Sequence, residues 1–154
     1  MWITLLIAHG LAAFMLLGAV THQTLGVWLP ARTNSASFVN RLRSVPPTSY
    51  VNAIVVLFIA TMILGGIIYT NYRIGARLTL ERGRFWKTFG AFELKEHIVT
   101  IGLGILPAYW YFWRAPLREE HARTRAMLTT VLTFVVWWGF VVGHLANNVR
   151  GLGT

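Results

Sequence analysis

The sequence predicts an all-α fold, an integral membrane four-helix transmembrane bundle in which residues 1–154 form one domain. Three observations carry this. Apolar residues make up 55% of the chain and charged residues 12%, about half the charged share of an average soluble domain. Mean hydropathy is +0.55. The apolar residues fall into four runs of about 20, the length that crosses a bilayer core of ~30 Å. Expected helices cover 2–22, 50–71, 92–113 and 126–147, with a basic interfacial loop at 72–91.

The formal charge is +9, from 14 Lys and Arg against 5 Asp and Glu. In a soluble protein such an excess suggests nucleic acid. Here the cations lie between apolar runs, so contact with anionic lipid headgroups is the simpler reading. The chain has no cysteine, which excludes disulfides, thiolate metal sites and covalent haem attachment. It also lacks Gly-x-Ser-x-Gly, His-Glu-x-x-His, Walker and dinucleotide fingerprints. Four short spans without paired broken helices give little support to an inverted-repeat carrier.

The first run, Trp2 to Val20, is interrupted only by Thr4 and His9. No basic residue precedes it, and Thr21-His22-Gln23-Thr24 makes a poor cleavage site, so it reads as a retained helix. Pro30, the polar run Arg32 to Ser37, and Pro46-Pro47 argue for an irregular connection, with Phe38 to Arg43 as a short interfacial helix. Val51 to Thr70 is a plain scaffold helix in which Gly65-Gly66 permits close packing. Residues 71–91 carry Arg73, Arg77, Arg82, Arg84 and Lys87. Phe85, Trp86, Phe89 and Phe92 among them suit an amphipathic turn at the membrane surface.

The third helix should begin before His97 and end near Trp113, with Pro107 kinking its later half. Tyr109-Trp110-Tyr111-Phe112-Trp113 reads as an interfacial aromatic belt. After a charged hinge at 114–125, the fourth helix carries Gly139-x-x-x-Gly143, a packing motif, followed by His144. Lysine and arginine divide evenly between the two faces. Arg73, Arg77, Arg82, Arg84, Lys87, Lys95 and Arg150 lie on the terminal side. Arg32, Arg41, Arg43, Arg114, Arg118, Arg123 and Arg125 lie on the other. Charge bias therefore assigns neither face to the cytoplasm.

The candidate site lies where Phe92-Glu93-Leu94-Lys95-Glu96-His97 meets the uncharged run Ile98 to Leu106. Ionisable groups there are costly unless paired, wet or liganded. At ~1.5 Å rise per residue, His9 lies roughly 10 Å in from the terminal face. His97 lies ~24 Å from the opposite boundary, and His144 ~27 Å along helix four, both near the terminal face. His22 and His121 fall at the other face. Two imidazoles from facing helices suit the axial positions of a haem b, and Gly10 and Gly143 beside His9 and His144 leave room for a flat macrocycle. Three imidazoles with Glu93 or Glu96 would instead suit zinc, copper or iron. Glu93, four residues before His97, is a candidate carboxylate to orient its ring. The plain alternative is that these histidines only hydrogen-bond between helices.

His9 and His22 are 13 positions apart, about 220° beyond whole turns, so they face different ways, unlike the stacked pairs of diheme membrane cytochromes b. In helix count and intramembrane histidines, the chain resembles small bacterial four-helix membrane cytochromes and copper-resistance-type membrane proteins. The leading expectation is a cytochrome b-like or accessory subunit of a respiratory-type electron-transfer complex in a bacterial inner membrane. His9, His97 and His144 would be its candidate haem or metal ligands, and its role redox or accessory rather than catalytic. The alternatives are a cofactor-free structural or assembly subunit docked to other membrane subunits, and a copper- or zinc-handling membrane protein.

Overall fold

The computed structural model describes residues 1–29, 37, 38, 40, 44–114 and 116–151. Among these the chain is all-helical. The α-helices are α1 (Trp2–Trp28), α2 (Val51–Ile74), α3 (Ala76–Arg82), α4 (Trp86–Trp113) and α5 (Ala122–Gly151), with 3-10 turns at Pro47–Tyr50 and Glu119–His121. Three segments are long and apolar enough to cross a membrane: Trp2–Trp28, Pro47–Ile74 and Glu119–Asn148. The fourth long helix, α4, is as long, but Lys87, Glu93, Lys95 and Glu96 fall in its first half.

The four long helices alternate in direction. Gln23 near the end of α1 meets Pro47 just before α2, whereas His9 near its start meets Thr61. Tyr72 of α2 stacks on Phe92 of α4. Thr24 of α1 bonds Thr133 of α5, and Trp113 of α4 bonds Thr129 of α5. Among the long helices the densest contacts run α4 to α5, α1 to α2 and α5 to α1, and those of α2 with α4 are much sparser.

Packing is concentrated at one end. The core consists of Leu16, Leu17 and Val20 of α1, Val51, Ile54 and Phe58 of α2, Leu106, Tyr109 and Trp113 of α4, and Leu132, Val135 and Val136 of α5. At its edge Gly102 lets α4 close on its neighbours, since a Cβ there would lie 2.7 Å from Val135 Cγ1 and 2.8 Å from Phe58 Cζ. Beyond that level, towards the chain termini, α1, α2 and α4 bury no side chain fully. In that half only Leu80 of α3 and Val142 and Ala146 of α5 are fully buried among the described residues.

Several elements run further than the sequence suggests. Helix α1 continues through Thr21-His22-Gln23-Thr24 because three of these polar side chains find partners on other elements. Trp137 donates to Thr21 Oγ1 at 3.0 Å, Thr24 pairs with Thr133 at 2.6 Å, and Gln23 bonds both Pro47 and Tyr109. The stretch expected as a loop at 72–91 is largely helical. Arg77 and Glu81 pair one turn apart at 2.9 Å, and Leu80 is 1% exposed, so α3 has both a polar and an apolar anchor.

Its end is a Schellman turn, with Phe85 N–H bonding Leu80 O and Arg84 N–H bonding Glu81 O. Arg84 occupies the left-handed position, φ 58°, where glycine would be unstrained, while Gly83 sits one residue early. Pro107 lies inside α4 without ending it. Within the first connection, Pro30, Arg32 to Ala36 and most of Phe38 to Arg43 lie outside the described residues.

The tight fit at Gly102 gives a test. Gly102→Ala should destabilise the protein by about 1–3 kcal/mol through overpacking. Gly104→Ala, two residues on and with nothing within 4 Å of the added carbon, should be neutral or mildly stabilising. Reversible unfolding in mixed micelles measures both.

Candidate functional site

The histidine-bearing end is the loosely packed one, and α1, α4 and α5 each bring one candidate imidazole to it. His9 is half-buried on the α1–α2 seam, its Nδ1 donating to Thr61 O at 3.1 Å. Its ring fills the space at Gly65, where a Cβ would approach Cε1 to 3.2 Å. The close approach expected at Gly65-Gly66 is thus made by an imidazole rather than a backbone, and Gly66 faces open space. Similarly Gly139 receives Val99, at 3.1 Å from an added Cβ, while Gly143 is open.

His97 is exposed on α4, its Nδ1 donating to the Glu93 carbonyl at 2.8 Å. The ring is therefore oriented by the main chain of Glu93, whose carboxylate instead lies 3.9 Å from Arg77. His144 is exposed on α5, its ring parallel to Phe140 with centroids 6.4 Å apart. A carbonyl oxygen can only accept, so the bonded Nδ1 of His9 and of His97 must carry the proton. In each neutral ring Nε2 is then left with its lone pair.

The three histidines share an end but are not brought into one ligand set. Among the described residues, no group of three or more His, Asp or Glu could hold a metal ion. The space beside His97 is a half-open pocket of about 170 Å³, lined by Tyr69, Tyr72, Arg77, Phe89, Phe92, Glu93, Glu96 and His97. Drug-sized ligands need pockets of roughly 300 Å³ or more. His9 sits on the α1–α2 seam, His97 at this pocket and His144 exposed on α5. The open space at Gly10 lies on an exposed surface, whereas Gly143 is half-buried.

Other polar residues at this end are more enclosed than the sequence suggests. The buried stripe of α4 runs Gly102, Leu106, Tyr109, Trp113, and stepping back by turns reaches Val99 and Lys95. The Lys95 side chain is 15% exposed. Its ammonium sits 4.1 Å above the Phe92 ring and 2.9 Å from Glu96, which lets a buried stem carry a paired charge. Lys95 and Glu96 both lie within electrostatic reach of His9. Arg77 bonds Glu81 and lies over Phe89 at 4.9 Å. The bond to Glu81, joined by the nearby carboxylate charges, raises its pKa further above the usual guanidinium value.

At the opposite end His22 stacks on Tyr50 at 4.7 Å, and both of its ring nitrogens are buried without a hydrogen-bond partner among the described residues. His121 packs edge-on against Phe112 and lies 3.5 Å from Glu120. Residue spacing alone carried no signal for the orphaned His22 nitrogens, because enclosure depends on Tyr50, 28 positions away. Comparison of the chain with protein-family models, curated proteins and solved structures finds no match in any of the three.

The tautomers can be tested directly. Nitrogen-15 NMR of selectively labelled protein should show neutral His9 and His97 protonated at Nδ1, the reverse of the form that free imidazole side chains favour. Signals from Nε2-protonated rings would contradict both carbonyl bonds.

Proposed function

We propose that the chain is an accessory subunit of a larger membrane complex, with α4 crossing the bilayer as the fourth helix of a transmembrane bundle. The same proposal sets it in a bacterial inner membrane. One observation carries the reading: the core fills only one half, and the terminal half leaves its long helices loosely packed. Open glycines lie on that half at Gly10, Gly66 and Gly143, and small residues let a partner helix approach closely in lipid. Paired charges at the head of α4 are compatible with a crossing helix, since Lys95 and Glu96 neutralise each other.

Mild-detergent extraction from native membranes should yield the chain in an assembly larger than itself. Gly10→Leu with Gly143→Leu should release it from that assembly while leaving it folded. A stable monomer with nothing co-purifying would contradict the proposal.

A cytochrome b-like subunit of an electron-transfer complex is the second reading. It rests on the free Nε2 of His9 and His97, each ring held through Nδ1 as metal-ligating histidines usually are. Haem b would then lie against the outside of the helices, in a site completed by a partner. A reduced-minus-oxidised visible spectrum of the native assembly tests it, with metal analysis separating haem iron from copper or zinc. A haem b signal that survives His9→Ala, His97→Ala and His144→Ala unchanged would remove this chain as the ligand donor.

A further inference from the structure

The pocket at the junction of α2, α3 and α4 has a chemistry of its own. It lies where the apolar segment Pro47–Ile74 ends, so its mouth is at the level of lipid headgroups. Tyr72 and Phe92, stacked at 4.1 Å, form one wall. Arg77 and Glu93 bring opposite charges 3.9 Å apart, too far for a direct hydrogen bond. The guanidinium uses Nε on Glu81 and has further donors to offer. Glu93 makes no closer ion pair among the described residues, and its side chain is 48% exposed.

The Tyr72 hydroxyl is buried and makes no hydrogen bond among the described residues, a state that calls for a partner. A pocket with spare guanidinium donors, a carboxylate only loosely paired at 3.9 Å, an orphaned hydroxyl and aromatic walls suits a small zwitterion. Such a ligand carries an anion for Arg77 and Tyr72 and a cation for Glu93.

We propose that this pocket binds a phosphoethanolamine group, its phosphate on Arg77 and the Tyr72 hydroxyl and its primary ammonium on Glu93. A volume of about 170 Å³ accommodates a headgroup of this kind. A primary ammonium is favoured over a quaternary one because it donates hydrogen bonds to a carboxylate. The Phe89 and Phe92 rings that a quaternary ammonium would need already carry Arg77 and Lys95. The group can come from phosphatidylethanolamine in the bilayer or from a free phosphoethanolamine ester.

The test is native mass spectrometry of the purified, delipidated full chain in micelles. Phosphatidylethanolamine, phosphatidylglycerol and phosphatidylcholine are added separately, and soluble glycerophosphoethanolamine serves as competitor. Phosphatidylethanolamine should be retained in preference to the other two. Glu93→Gln should weaken it about tenfold or more, the effect of losing one charge-assisted hydrogen bond.

Tyr72→Phe removes a hydroxyl that makes no hydrogen bond among the described residues, so it should weaken retention while helical content and elution position stay unchanged. Displacement by glycerophosphoethanolamine means that the headgroup suffices, and resistance to it identifies the membrane lipid as the ligand. Equal retention of all three lipids, or unchanged retention in both variants, would overturn the proposal. The measurement uses the isolated chain, so its outcome is independent of whether a partner subunit exists.

Discussion

Inside a bilayer a polar group has no water to turn to, so leaving one without a partner is costly. The fold depends on how Gln23 finds its partners. Its carboxamide oxygen accepts from Tyr109 at 2.7 Å, and its nitrogen donates to Pro47 O at 3.0 Å. One 0% exposed side chain thus ties α1 to α4 and to the turn that launches α2. The bonds from Thr24 to Thr133 and from Trp113 to Thr129 bring in α5 within about a turn of the same level. Four helices joined by hydrogen bonds at one end pack densely there, and the same bonds hold α1 helical well past its expected end.

The other end follows from the absence of such a knot among the described residues. There several polar groups are satisfied locally: His97 bonds the carbonyl one turn earlier, Thr100 bonds Glu96 O, and Lys95 pairs with its neighbour Glu96. His9 reaches across, to Thr61. Helices joined mainly by apolar contact are not drawn together by a hydrophobic force in lipid, so this half keeps unfilled space beside Gly10, Gly66 and Gly143, the exposed rings of His97 and His144, and a surface pocket. That is where association or ligand binding costs the scaffold least, because little core has to be disturbed.

Part of this was legible in the sequence. The all-helical character and the approximate position of the long helices follow from apolar run length, whereas the extra short helix at Ala76–Arg82 does not, and only three segments are apolar enough to cross a membrane. The shared depth of His9, His97 and His144 follows from alternating direction and a fixed rise. Their failure to converge was not legible, because it depends on rotation about each helix axis. On α5, Val142 and Ala146 turn inward, and position 144 lies about 200° from 142, so His144 points out. The length of α1 was hidden because Thr21, Gln23 and Thr24 look like a helix end until their partners on other elements are known. The helical character of 76–82 was masked by its charge, although the i,i+4 pair Arg77 and Glu81 was a readable signal. Glu93 matched the spacing for orienting His97, but its carboxylate turns towards Arg77 and its main-chain carbonyl takes the ring instead.

The central claim is that α4 crosses the membrane despite its charged opening, completing four alternating spans. The absence of cysteine makes single-cysteine labelling the most direct test. Arg84→Cys and Arg118→Cys place thiols beyond the two ends of α4, and each is probed with a membrane-impermeant maleimide in sealed vesicles of known orientation. Labelling from opposite sides is the result expected of four spans. Labelling of both from the same side would mean that α4 lies along the membrane, and would contradict the account.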